Sequence, residues 1–312
     1  MIAPIRSFVG SIGLCAVVLI GGGCSKTKPL NLENPTIAEH APACAEQGLT
    51  ACELACEAGD GWACLAASYA YGHGDGARKN ETRMAELEER GCAAGLGEAC
   101  RWASRNFELD DPRAKPLLVR GCELDHGESC GLAAMIELVA APQEPAGLQG
   151  AIEHLDRGCE LDDAWSCAAR GDLYELGLGG AADSAAARPM HERACKLEVA
   201  ASCRNLQDPD RVWSVLPLPT LFGHLHMPDP NITFDGFQTQ VTEALVVKLG
   251  YCLESKPEAT AVLLESSGEP ALDGVMVDTI NEWRLSLGPL FPEGKTVCFL
   301  MTYKFKSTPK SG

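Results

Sequence analysis

The chain has 312 residues, of which 46% are hydrophobic, and a formal net charge of −17 at pH 7. This charge argues against a nucleic acid as partner, because nucleic-acid binding depends on Lys and Arg side chains that neutralise phosphates. Partners are therefore expected to be neutral or basic. The length suggests about two domains.

The N-terminus has the pattern of a secretory signal. A positive charge at Arg6 precedes an apolar stretch over residues 8–20, which is followed by glycines and then by Cys24. The apolar stretch is shorter than a membrane-spanning helix and ends abruptly at the glycines. We therefore expect residues 1–23 to be a signal peptide.

The same residues resemble a bacterial lipoprotein signal, in which the cysteine after small residues is lipidated and becomes the first mature residue. Gly21 departs from that family, which usually has a leucine-like residue at this position. The resemblance implies lipidation of Cys24 and a place in the bacterial cell envelope. Because Ser25 is not a retention signal, we expect the outer membrane, facing the periplasm. Ordinary secretion, with cleavage near Gly23, is the alternative.

Residues 24–42 are polar and contain Pro29, Pro35 and Pro42. This composition predicts a mobile linker. Such a linker would let the folded part of the chain stand away from the membrane.

Six cysteine pairs share one spacing, in which the second cysteine follows eight positions after the first. At a rise of ~1.5 Å per residue, one helix would hold the two Cα atoms roughly 12 Å apart, whereas a disulfide needs about 4.4 to 6.8 Å. The spacing therefore predicts a helix that ends near the first cysteine, a turn, and a second helix that begins near the next. Small residues such as Gly121 and Ser129 stand before the cysteines and let the backbones approach. The pairs are Cys44–Cys52, Cys56–Cys64, Cys92–Cys100, Cys122–Cys130, Cys159–Cys167 and Cys195–Cys203.

Zinc binding is the alternative for these cysteines, but zinc ligands usually come as closer pairs or with partner histidines. Of the 16 cysteines in the chain, Cys15 leaves with the signal and Cys24 carries the lipid. Cys252 and Cys298 then remain and form a seventh pair. So many disulfides are expected in an oxidising compartment.

The first cysteines of successive pairs recur with a period near 36 residues, which is typical of a helical solenoid. The start "ACLAASYAYGHG", the Ala-rich helices and the "ERGC…G…AC" junctions resemble Sel-1-like repeats, relatives of tetratricopeptide repeats, in their secreted cysteine-rich branch. This resemblance covers residues 41–206. It implies a helical surface that binds other proteins.

Residues 207–235 break the repeat with prolines, and we interpret them as a linker. The chain from 236 to 308 then has the order β-β-α-β. Its helix places Leu272, Met276, Ile280 and Trp283 on one side. The fold class predicted for the whole chain is α+β, in which a disulfide-linked α/α helical solenoid is followed by a small β-β-α-β domain.

A turn, a helix start and a helix end in this segment carry a recognisable pattern, formed by Ser266, Ser267, Gly268, Leu272, Asp273, Trp283 and Arg284. With these residues the segment resembles the C-terminal domain of TonB-type proteins, in which the first strand lies between the other two. Strand alternation places Cys252 and Cys298 together on the face away from the helix. The last strand, over about residues 296–305, is then predicted to lie at the sheet edge, where an extended peptide could be added as a further strand. The predicted partner-binding residues are Val297, Phe299, Met301, Tyr303 and Phe305.

Catalytic and metal-binding patterns are weak. His224 and His226 could offer two metal ligands, yet no third ligand is near in sequence, and we expect no metal and no cofactor. Ser25 and Lys28 match the Ser-x-x-Lys of penicillin-interacting enzymes, without the downstream motifs of that family. No nucleophile elbow, phosphate loop or dinucleotide fingerprint is present. We expect no enzyme.

The resulting prediction is a lipid-anchored envelope scaffold that binds proteins or extended peptides through its helical surface and its sheet edge. Two alternatives stay open. The cysteine-rich repeat resemblance also implies members that bind or weakly hydrolyse β-lactams, and the TonB resemblance implies an accessory role in TonB-type transport. TonB proteins, however, carry an uncleaved membrane helix and a long Pro-rich spacer, which this sequence lacks.

Overall fold

A computed structural model describes residues 29–141, 146–224, 245–254, 258–284 and 286–305. Its helices are α1 Pro35–His40, α2 Pro42–Gln47, α3 Leu49–Glu57, α4 Gly61–His73, α5 Glu81–Ala93, α6 Gly97–Ser104, α7 Ala114–Glu123, α8 Gly127–Ala140, α9 Ala146–Glu160, α10 Ala164–Leu176, α11 Ser184–Lys196, α12 Ala200–Gln207, α13 Leu218–Leu221 and α14 Pro270–Asn281. Its strands are β1 Val212–Trp213, β2 Phe222–His224, β3 Leu245–Leu253, β4 Ala259–Glu265, β5 Ser286–Leu287 and β6 Val297–Phe305. The predicted fold class is confirmed: helices α3 to α12 form a solenoid, and a small sheet with one packed helix follows.

The disulfides join consecutive helices across their turns. In five of the six spaced pairs, the first cysteine lies just before the last residue of one helix and the second lies in the first turn of the next. The paired Cα atoms of all six lie 4.4–4.9 Å apart. The structure thus contains every predicted pair, including Cys252–Cys298.

The turns repeat one backbone conformation. A left-handed residue stands three positions after the first cysteine, as in Asp125 with φ 62° and Asp162 with φ 60°. Side chains cap the next helix in several turns, and Asp163, for example, accepts a hydrogen bond from the Ser166 N–H at 2.8 Å. The small residues are needed for close packing, since a Cβ at Gly121 would lie 2.8 Å from the Cβ of Ser129.

The C-terminal sheet has the strand order β1-β6-β3-β4. Strand β3 lies between β4 and β6 and is antiparallel to both, while β1 runs parallel to β6. One face packs against α14, whose predicted apolar side is confirmed: Leu272, Met276 and Ile280 are buried there, and Trp283 is buried just after the helix ends. The other face carries Cys252–Cys298 and packs against Trp213 and Ala201, so it contacts the solenoid.

Two predicted linkers are only partly linkers. Within residues 24–42, the described part is packed on the first repeat, since Leu30, Ile37 and Ala41 are buried with the apolar residues of α4. The interpretation of residues 207–235 as a linker is wrong for its first part. Residues 212–224 form β1, α13 and β2, and these contact the solenoid and the sheet. In both segments a few apolar side chains pack against residues that are distant in sequence. Local composition cannot predict such contacts.

Candidate functional site

Strand β1 joins the solenoid to the sheet. On one side, the Val212 N–H donates to the Thr296 carbonyl at 2.9 Å, and the Ser214 N–H donates to the Cys298 carbonyl at 2.7 Å. On the other side, Asn205 of α12 accepts from the Trp213 N–H at 2.6 Å and donates to the Trp213 carbonyl at 3.1 Å. Successive strand residues aim their polar groups to opposite sides. Both sides of β1 are therefore satisfied, and the solenoid caps this edge of the sheet.

The prediction that β6 is an edge strand is wrong at its start, because β1 pairs with Val297 and Cys298. Beyond Cys298 no strand of the described residues pairs with β6 on that side. Chain 215–218 has by then turned away into α13. The open part of the edge is thus shorter than predicted and begins at Leu300.

The outward polar groups of β6 follow from its pairing. The Cys298 carbonyl points to β1, so Cys298 and Cys252 form a non-hydrogen-bonded pair of the β3–β6 ladder, which fits their Cα separation of 4.0 Å. Polar groups of alternate residues point the same way. Leu300, Thr302 and Lys304 therefore aim their backbone N–H and C=O groups away from β3.

A cleft of about 480 Å³ lies beside this open edge. One wall is the start of α12 together with the segment that follows β1, and the other wall is β6 with one residue of β3. Its lining is mostly apolar, with a hydroxyl from Ser214. Representative lining residues are Val199, Ala200, Leu218, Tyr251, Leu300 and Met301. The cleft occupies the position that a longer β1 would fill.

The side chains predicted to bind a partner belong largely to the core. Val297 and Phe299 are buried. Met301 and Tyr303 are half-buried and pack against the core that contains the apolar side of α14. The side chain of Phe305 lies outside the described residues. Any partner at this edge would thus meet backbone groups first, and these side chains mainly through the cleft.

A buried polar cluster lies behind β1. Asp172 of α10 accepts hydrogen bonds from the Ser214 hydroxyl at 3.0 Å and from the Val215 N–H at 2.7 Å. Burial raises the pKa of Asp172 to about 8. Burial also lowers the pKa of His191 to about 4, so this imidazole is neutral at pH 7. With the proton on Nδ1, His191 donates to the Ser202 hydroxyl at 3.2 Å, and its Nε2 accepts from Asn205 at 3.3 Å.

Ser202, His191 and Asp172 bring together the residue types of a hydrolytic triad. The distance from His191 Nε2 to Asp172 Oδ1 is 3.9 Å. All three residues are at most 1% exposed, and the Ser202 hydroxyl contacts His191 of α11 inside the solenoid. A nucleophile needs access to its substrate, so the cluster fits a structural role in holding β1.

The other candidate residues do not form a site here. His224 lies in β2, while Cys24, Ser25, Lys28 and His226 lie outside the described residues. Within the described ranges, no group of three or more His, Cys, Asp or Glu side chains is placed to hold a metal ion. No helix in that part of the chain is long and apolar enough to cross a bilayer.

Sequence reasoning missed Asn205, Asp172 and β1. The β-branched and aromatic residues in "RVWSVL" were a weak signal of a strand. No local pattern indicates that Asn205 binds a backbone eight positions away, or that Asp172 reaches across 43 positions to Val215.

The chain matches no family profile, and no curated protein sequence is similar to it. Among solved structures, it is similar to a Sel1 repeat protein from Oxalobacter formigenes, with 15% identity and a TM-score of 0.46, over 56% of this chain and 76% of that one. It is also similar to c5321, a protective antigen present in uropathogenic Escherichia coli strains and displaying an SLR fold. That match has 14% identity and a TM-score of 0.42, over 52% of this chain and 37% of that one.

Proposed function

We propose that this protein is a lipid-anchored scaffold of the bacterial cell envelope that binds protein partners. It offers two surfaces: the helices of the solenoid and the open edge of β6. The observation that carries the proposal is the stretch of β6 from Leu300 to Lys304, whose outward backbone groups begin beside an apolar cleft at Leu300 and continue past it. Edge groups that pair with no strand of the described residues can bind an extended segment by forming main-chain hydrogen bonds to it.

The rigidity of the joint supports this binding mode. Asn205 and Asp172 fix β1 against the solenoid, and Cys252–Cys298 ties β6 to the central strand. An edge held in this way is preorganised, which lowers the entropy lost on binding.

Cysteine usage supports the location. Of the 16 cysteines, 14 lie in the seven disulfides, and the two others are Cys15 and Cys24 near the N-terminus. A chain so rich in disulfides belongs in an oxidising compartment. Cys24 follows glycines at the end of the apolar stretch, where a lipoprotein signal places the lipidated residue.

Crosslinking in intact cells, followed by mass spectrometry, would identify partners. A photoreactive amino acid at Thr302 should crosslink to an extended segment of a partner. The same probe at Thr260, which is also exposed but lies on β4, serves as the matched control. Crosslinks that form equally from both positions, or only from the solenoid helices, would contradict binding at the β6 edge.

A further inference from the structure

The cleft beside β6 is lined by apolar side chains on two walls, so it can recognise the side chains of a bound strand as well as its backbone. We infer that the cleft selects an extended peptide segment with two adjacent apolar residues and, on one side of this pair, an acidic residue. This inference rests on the proposed binding at the β6 edge and adds the chemistry of the partner.

The walls of the cleft explain the apolar pair. In an added strand, successive side chains point to opposite faces of the sheet. At most sheet edges one of those faces is open to water, which favours an alternation of apolar and polar residues. Here both faces are lined: Tyr251 and Met301 lie on the α14 side, and Val199 and Leu300 lie on the solenoid side. Two neighbouring residues of the partner would therefore both meet apolar walls.

The solenoid supplies the wall that an isolated sheet would lack. Val199 and Ala200 stand at the start of α12, directly after the turn closed by Cys195–Cys203. Trp213, which is 2% exposed, fills the space between this helix and the sheet. The position of the last repeat thus sets the width of the cleft.

The acidic residue is inferred from the charge beyond the cleft. Farther along β6, Thr302 and Lys304 are exposed, and Lys304 makes no ion pair with any described residue. The nearby Lys248 already pairs with Glu265 at 2.6 Å. A carboxylate on the partner would be attracted to Lys304, and its contribution should weaken as salt increases.

The test uses peptides displayed on phage and selected against the oxidised, full-length protein. Enriched peptides should contain an apolar pair with an acidic residue at a constant position on one side of it. A selected peptide, made synthetically and fluorescently labelled, is then measured with the pair replaced by Ser-Ser. The expected loss of affinity is about tenfold to a hundredfold for each buried apolar side chain removed.

Two matched protein variants test the cleft itself. Ala200 lines the cleft and is exposed, so Ala200→Trp should fill it and weaken binding. Ala185 is equally exposed in the first turn of α11, so Ala185→Trp should leave binding unchanged. The affinity of the Ser-Ser peptide is measured with the unchanged protein, so that result holds even if one of the two variants fails to fold.

A scan of N-methyl groups along the peptide separates this inference from the proposed function. Strand addition predicts that methylation weakens binding at every second residue, because alternate N–H groups pair with β6. If that pattern is absent, the proposed edge binding fails. If the pattern is present but the Ser-Ser peptide binds equally well and Ala200→Trp behaves like Ala185→Trp, the inferred selectivity is wrong. Dimerisation that blocks all peptides and is lost in Ala200→Trp would also overturn it, by assigning the cleft to a second copy.

Discussion

The side chain of Asn205 binds the backbone of Trp213 as a neighbouring strand would, accepting from its N–H at 2.6 Å and donating to its carbonyl at 3.1 Å. One amide side chain thus satisfies both polar groups of a buried strand residue. Its removal would leave these groups unpaired in the joint between solenoid and sheet. An unpaired buried polar group costs roughly 1–3 kcal/mol.

Asn205→Ala should therefore lower the free energy of unfolding by about 2 kcal/mol or more, measured by urea denaturation. The amide proton of Trp213 should also exchange faster with solvent. Gln207→Ala lies on the same helix at an exposed position and should stay within about 0.5 kcal/mol of the unchanged protein. Equal stability of the two variants would contradict a role for Asn205 in the joint.

The buried pair Asp172 and His191 should make stability depend on pH. The folded pKa of Asp172 is raised from 3.8 to about 8, so its contribution to stability is lost as pH rises between these values. The folded pKa of His191 is lowered from 6.5 to about 4, so its contribution is lost as pH falls from 6.5 to 4. The two slopes oppose each other below pH 6.5, and Asp172 alone acts between pH 6.5 and 8.

In that upper window the free energy of unfolding should fall by up to about 1.4 kcal/mol per pH unit. Asp172→Asn keeps an acceptor for Ser214 and Val215 but does not titrate, so its profile should be flatter. The measurement is a series of urea denaturations from pH 6.5 to 8. Parallel profiles for the two proteins would show that Asp172 is ionised when folded.

The seven disulfides should differ in their contribution to stability. In the chain-entropy treatment, a bridge that closes a longer loop stabilises more. Cys122–Cys130 spans 8 positions and Cys252–Cys298 spans 46. Replacing both cysteines of a bridge by alanine should lower the free energy of unfolding by about 2.5 kcal/mol for the first bridge and about 4 kcal/mol for the second.

Peptide mapping without reduction should find each bridge as paired here. Bound zinc or scrambled pairs would contradict these pairings.

The proposed lipid anchor predicts that Cys24→Ser abolishes labelling by radioactive palmitate and partitioning into detergent. Cys15→Ser lies inside the apolar stretch and should leave both unchanged. If the Cys24→Ser protein still carries label, the cysteine is not the lipidated residue. If neither protein is labelled, the chain is secreted without an anchor.

Local and long-range contacts explain which features the sequence could predict. The pairing of Cys122 with Cys130 follows from helix geometry within a short segment, and the apolar side of α14 follows from its period. Helix α1 and strand β1 are too short to show a cysteine spacing or an apolar period. Ile37 is buried only because α4 lies over it, and β1 exists only because Asn205, Asp172 and β6 surround it. The open edge was misplaced for the same reason, since two residues of β1 cover its start.

The packing of Leu30 against the first repeat limits the reach of a lipid attached at Cys24. Six residues of fully extended chain span at most ~20 Å. A membrane holding that lipid would therefore keep the first repeat close to its surface, within about two and a half Debye lengths at physiological salt. The acidic side chains Glu33 and Glu39, exposed on this end, would be repelled by anionic headgroups. The lipid and this repulsion would act against each other, so attachment of the first repeat to an anionic membrane should strengthen as salt increases.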